Sequence, residues 1–103
     1  MDCVLNFEKL GLPKYQSSAL AVLHAEKQAT ALTISQKGLI PYTKVYEVLA
    51  SLQMNGFVSS SLDRPKKYKL KKIDFILEKL VERHRDNYFE AKKQARQMMK
   101  AVA

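Results

Sequence analysis

A mostly helical fold with one small β-hairpin and a long closing helix is what the 103-residue sequence predicts, and three observations predict it. Apolar residues recur at helical spacing in short segments up to Asn55-Gly56. Two short alternating stretches follow, and the second lies within RPKKYKLKK, Arg64 to Lys72, six positive charges in nine residues. From Ile73 onward thirty-one residues contain no Gly or Pro. Helix, tight turn, helix and basic hairpin, in that order, describe a winged helix-turn-helix, here prolonged by a long C-terminal helix.

Val4, Phe7 and Leu10 suggest a short first helix closed by Gly11, with Pro13 just beyond. A second helix is expected from Pro13 to about Lys27, because Tyr15, Ala19, Val22 and Leu23 share one face. Thr30 is placed to cap a third, Ala31 to Lys37, carrying Leu32 and Ile34. Gly38-Leu39-Ile40-Pro41 then turns tightly into a fourth, Pro41 to Asn55. There Val45, Val48, Leu49 and Leu52 form the core face, while Thr43, Glu47, Ala50 and Met54 fall opposite and are free to touch a partner. Phe57 to Leu62 and Lys66 to Leu70 read as hairpin strands around Asp63-Arg64-Pro65, with Lys67 and Lys69 outward.

Along the last helix Leu77, Leu80, His84, Tyr88, Ala91, Ala95, Met99 and Val102 are spaced 3, 4, 4, 3, 4, 4 and 3, an eleven-residue repeat that winds nearly straight. Such a helix spans about 40 Å, more than a domain this small covers. A second copy is therefore expected on Leu80, His84, Tyr88, Ala91, Ala95, Met98, Met99 and Val102. Asp74 near its start and Lys92, Lys93, Arg96 and Lys100 near its end suit the helix dipole. The expected organisation is a winged helix over residues 1–72 and a dimerisation helix over 73–103 in one compact unit.

The balance of 47% apolar and 27% charged residues is that of a globular chain. The net charge of +8 is concentrated: residues 1–63 carry five basic and five acidic side chains, 64–72 six basic and none acidic, 73–103 seven basic and five acidic. The basic tract favours a polyanion, nucleic acid or an anionic membrane surface, over a merely solvated edge. Without an eighteen-residue apolar run or a basic leader, no membrane partner and a cytoplasmic location are expected. Cys3 stands alone, so only a disulfide between two chains is open to it. His24 and His84 lie on different helices without further ligands at metal spacing, and no phosphate loop or nucleophile elbow occurs. No enzyme, metal or cofactor is expected.

What remains is a DNA reader. Tyr42, Thr43 and Lys44 begin the fourth helix, with Tyr46 and Glu47 one turn on, where a recognition helix meets base edges. Lys44 can donate to guanine or phosphate, Thr43 can bond phosphate or touch a thymine methyl, and Glu47 can accept from cytosine. Tyr46 is open to contact or to packing on the neighbouring helix. Arg64, Lys66, Lys67 and Lys69 on the wing suit phosphate or the minor groove.

The stretches LGLPKYQSSALAVL, IPYTKVYEVLASLQMNGFV and RPKKYKL, within residues 10 to about 72, resemble the DNA-binding domain of TrmB-like transcriptional regulators, most specifically in KVYEVL, GFV and RPKKY. The resemblance implies a recognition helix at Pro41 to Asn55 and a wing at Phe57 to Leu70. Where that family commonly has Ala-Gly-Ile-Pro, this chain has Gly38-Leu39-Ile40-Pro41, which moves the expected left-handed residue one place, to Gly38. Many members continue into a sugar-binding domain; this sequence stops after one helix, so no small-molecule effector is expected. The expected function is a homodimeric, sequence-specific regulator of double-stranded DNA, a repressor reading a palindrome, with an architectural chromatin-like protein as the alternative.

Overall fold

The computed structural model describes Phe7 to Val102, with side chains to Lys100; Cys3, Val4 and the side chain of Val102 lie outside the described residues. A 3₁₀ turn, Phe7–Leu10, is followed by α1 (Lys14–Glu26), β1 (Gln28–Thr30), α2 (Ala31–Gly38), α3 (Tyr42–Met54), β2 (Val58–Ser60), β3 (Lys67–Leu70) and α4 (Ile73–Val102). Every helix after the first turn falls where the apolar spacing puts it; of the first, the described residues hold the turn Phe7–Leu10, which anchors Phe7 in the core.

Ala19, Leu20, Val22 and Leu23 of α1, Ile34 of α2 and Val45, Val48, Leu49 and Leu52 of α3 meet in one core with Phe57, Val58 and Tyr68 of the hairpin. The hairpin is not two-stranded. Gln28 to Thr30 pair antiparallel with β3, which becomes the middle strand of a sheet ordered β1-β3-β2. Three residues between two helices carry no period-2 signal, which is why this strand is invisible in the sequence. Thr30 serves twice, ending β1 and capping α2 by accepting the Thr33 amide at 3.3 Å. Both hairpin strands are shorter than expected and leave the loop Ser61 to Lys66, drawn together where Ser61 Oγ accepts from the Asp63 and Lys67 amides.

The turn between α2 and α3 is built differently from the expectation. Leu39, not Gly38, is left-handed, at φ 54°. Gly38 stays helical because a Cβ there would meet Ile40 Cδ1 at 3.3 Å and Val22 Cγ2 at 3.4 Å, so the glycine serves close packing. Leu39 takes the strained backbone with its side chain 85% exposed. The buried Ser35 hydroxyl donates to the Ile40 carbonyl at 2.6 Å, the Ile40 amide donates back to the Ser35 carbonyl, and Lys37 pairs with Glu26 at 2.8 Å across to α1. These contacts hold the angle at which α3 leaves. At its other end α3 stops at Asn55, and Gly56 supplies the positive φ of 78°.

α4 joins the core only through its first two turns. Ile76 and Leu80 are buried and Ile73 and Leu77 half-buried; from Val81 to Lys100 every side chain is exposed.

Candidate nucleic-acid interface

The face of α3 opposite its core residues is open. Tyr42, Thr43, Lys44, Tyr46 and Glu47 are all exposed on it. Tyr42 and Tyr46, one turn apart, meet edge to face with ring centres 5.7 Å apart, and their hydroxyls share a 3.2 Å hydrogen bond. Tyr46 therefore packs, but on its own helix rather than on a neighbour, and remains 54% exposed. The bond with Tyr42 raises the Tyr46 hydroxyl above the ordinary tyrosine value.

α3 stands between two clefts. On one side Tyr42 and Tyr46 face Leu32 of α2 and Pro65 and Lys66 of the wing across about 270 Å³. Leu32 lines this cleft, 54% exposed, while Ile34 of the same helix is buried. On the other side Lys44 and Glu47 border about 230 Å³ shared with Lys14 and Gln16 in the first turn of α1. The tyrosine pair is legible as an i, i+4 aromatic spacing; the contribution of α1 is not, because it depends on how the helices cross.

The wing cations divide between two surfaces. Arg64, Lys66, Lys67 and Lys69 are exposed, and among the described residues none is paired with a carboxylate. Alternation along β3 sends Tyr68 inward and Lys67 and Lys69 out of the opposite face of the sheet. Lys66 instead borders the cleft beside the two tyrosines. Burial raises the Tyr68 hydroxyl above the usual tyrosine range.

Of the residues expected to meet a second chain, Leu80 is withdrawn. It is fully buried in its own core, so its share of the stripe is already covered. His84, Tyr88, Ala91, Ala95, Met98 and Met99 are exposed, with His84 beside Gly11. Arg83 reaches back to α3, its guanidinium 5.9 Å from the Phe57 ring centre and 3.5 Å from Asn55 Oδ1. Among the described residues no helix is long and apolar enough to cross a membrane, and no group of three or more His, Cys, Asp or Glu side chains is placed to hold a metal.

Three helices, a three-stranded sheet ending in a basic loop and an exposed helix face beside that loop define a winged-helix transcriptional regulator. The family model described as sugar-specific transcriptional regulator TrmB matches residues 7–74, and the chain belongs to that family. It is 32% identical over 81 residues to the HTH-type sugar sensing transcriptional regulator TrmBL1 of Pyrococcus furiosus, a match covering 79% of this chain and 24% of that protein. The chain thus spans about a quarter of the length of that relative. Its fold is similar to that of TrmBL2, described as an archaeal chromatin protein with a novel mode of DNA binding, at a TM-score of 0.69 and 26% identity over 95% of this chain and 40% of that one. A MarR family regulator from Silicibacter pomeroyi shares the fold at a TM-score of 0.61 and 21% identity, over 94% and 71% of the two chains.

Proposed function

We propose that this protein binds double-stranded DNA as a homodimer and represses transcription by occupying a palindromic site. The observation that carries this reading is the exposed face of α3 beside the wing, where Thr43, Lys44 and Glu47 offer groove contacts and Lys66, unpaired among the described residues, borders the cleft next to Tyr42 and Tyr46. α3 supplies the base contacts and Arg64, Lys66, Lys67 and Lys69 supply phosphate affinity. The exposed stripe of α4 from His84 to Met99 pairs two copies, and two-fold symmetry then sets two reading helices on two half-sites.

A second reading has its own support. The likeness to TrmBL2 favours an architectural protein that coats DNA with little sequence preference, using the same wing. Footprinting on a pool of random-sequence duplexes separates the two. The regulator yields discrete protected palindromes, and continuous protection along every duplex overturns it in favour of the architectural protein.

A further inference from the structure

The side chains of α4 are divided by charge as well as by burial. Its first part, residues 73–90, carries Asp74, Glu78, Glu82, Asp86 and Glu90 against Lys79, Arg83 and Arg85, a net of −2; the remainder carries Lys92, Lys93, Arg96 and Lys100 with no acid, a net of +4. The acidic part is grooved. Leu77 and Val81 line a shallow trough of about 420 Å³ together with Asp74, Glu78, Glu82 and Arg85, three acids to one base. Glu82 meets Lys79 of its own helix at 3.9 Å, an exposed contact too long to hold it. The basic part ends in Met98 and Met99, both about 70% exposed.

We infer that α4 pairs antiparallel with α4 of a second copy, crossing between Phe89 and Glu90, so that the basic end of each helix lies in the acidic trough of the other. This rests on the dimer proposed above and adds its direction and register. Two independent features select the direction. A parallel pair sets +4 against +4, whereas the antiparallel pair in this register sets +4 against residues 76–88, where Glu78, Glu82 and Asp86 balance Lys79, Arg83 and Arg85, so the like-charge repulsion is removed. Side-chain size agrees. With the crossing between residues 89 and 90, Val81 faces the partner's Met98, His84 the partner's Ala95 and Tyr88 the partner's Ala91, large against small at each step. A parallel pair would oppose Tyr88 to Tyr88 and Ala91 to Ala91, crowding one layer and emptying the next. In the same register Glu78 and Glu82 flank the seam near the partner's Lys100 and the partner's Arg96.

The arrangement also spaces the two DNA-binding units. Each α4 leaves its own core at Leu80, and with the two Leu80 positions nineteen residues apart along the pair the separation is about 28 Å. That is on the scale of one duplex turn, about 34 Å, and it keeps the two α3 helices from crowding one another.

Cross-linking reads the direction. In full-length chains carrying Cys3→Ser, one population bears Val81→Cys with a size tag and the other Met98→Cys; the two are mixed and treated with a short bismaleimide. Cross-links between unlike chains, with few between like chains, support the antiparallel pair. Like-with-like products, or a dimer by sedimentation that gives no cross-link at all, overturn it while leaving the dimer itself standing. A chain that sediments as a monomer at every concentration overturns the dimer reading as well. Charge reversal reads the cause: Glu78→Lys with Glu82→Lys weakens dimerisation about tenfold at low salt, and adding Arg96→Glu and Lys100→Glu to the same chain restores it. A parallel pair, like-charged before and after, would be indifferent to the first change and would show nothing to restore.

Discussion

Removing Arg64 and Lys66 together tests the wing most directly, because both lie in its exposed loop and among the described residues neither has a carboxylate partner whose release would confuse the result. Each cation taken off a phosphate lowers the slope of log affinity against log salt by about 0.9, so the double alanine variant is shallower by about 1.8 per chain and by about 3.6 for a dimer with both wings engaged. Between 50 and 200 mM salt that share is worth a factor of about 150 in affinity, or about 3 kcal/mol. Fluorescence anisotropy on a labelled duplex across a salt series measures the slope. The expected line is shallower than wild type by that amount on every duplex, because phosphates are alike. Lys67→Ala with Lys69→Ala, on the other face of the sheet, gives a smaller change if the clefted side faces DNA. An unchanged slope for Arg64→Ala with Lys66→Ala would show that the wing does not touch phosphate, and a weakening confined to one sequence would show that it reads bases.

Three further outcomes are expected. Replacing Thr43, Lys44 or Glu47 by alanine costs about 1–3 kcal/mol on a preferred site and less on random DNA, measured by competition binding; equal costs on both would reduce that residue to backbone positioning. Leu39→Gly stabilises the fold by about 0.5–1 kcal/mol in urea titration, since it relieves left-handed strain of about 1–2 kcal/mol and returns part as chain entropy, with little buried area removed from an exposed side chain; a destabilised variant would show that the Leu39 side chain has a packing role. The folded state holds the Tyr68 hydroxyl above the unfolded tyrosine value near 10, so its contribution is fully present below that value and declines as pH rises through the folded one. Tyr68→Phe should therefore flatten the alkaline fall in stability, and a fall of unchanged steepness would place its origin in another group.

The legible parts of the fold are those in which one local pattern has one cause. Val45, Val48, Leu49 and Leu52 mark the buried face of α3 because a helix buried on one side repeats every 3.6 residues, and Asn55-Gly56 marks its end because a left-handed residue has to follow. Partner-dependent features are not legible. Gln28 to Thr30 become a strand only because β3 arrives beside them, and the cleft that Leu32 shares with Tyr42, Tyr46 and the wing exists only once those elements are brought together. In the turn, a glycine invites the left-handed assignment, while close packing on Ile40 and Val22 has a stronger claim on the missing Cβ.

α4 shows how one uninterrupted pattern can conceal two surroundings. Its eleven-residue repeat runs through Leu80 to Met99 without a break, yet the chain's own core covers the stripe only to Leu80. Periodicity records that a face is apolar, not what covers it, so hydrophobic spacing alone assigns Leu80 to a partner. Charge gives the boundary that spacing cannot: acids recur every four residues from Asp74 to Glu90 and then cease, and Lys92, Lys93, Arg96 and Lys100 follow with no acid among them. A helix that segregates its charges along its length, and carries large side chains in one part and small ones in the next, is complementary to its own reverse. In the antiparallel pair proposed above, the exposed methionines and crowded cations at the basic end of α4 would be covered by the second copy rather than left in water.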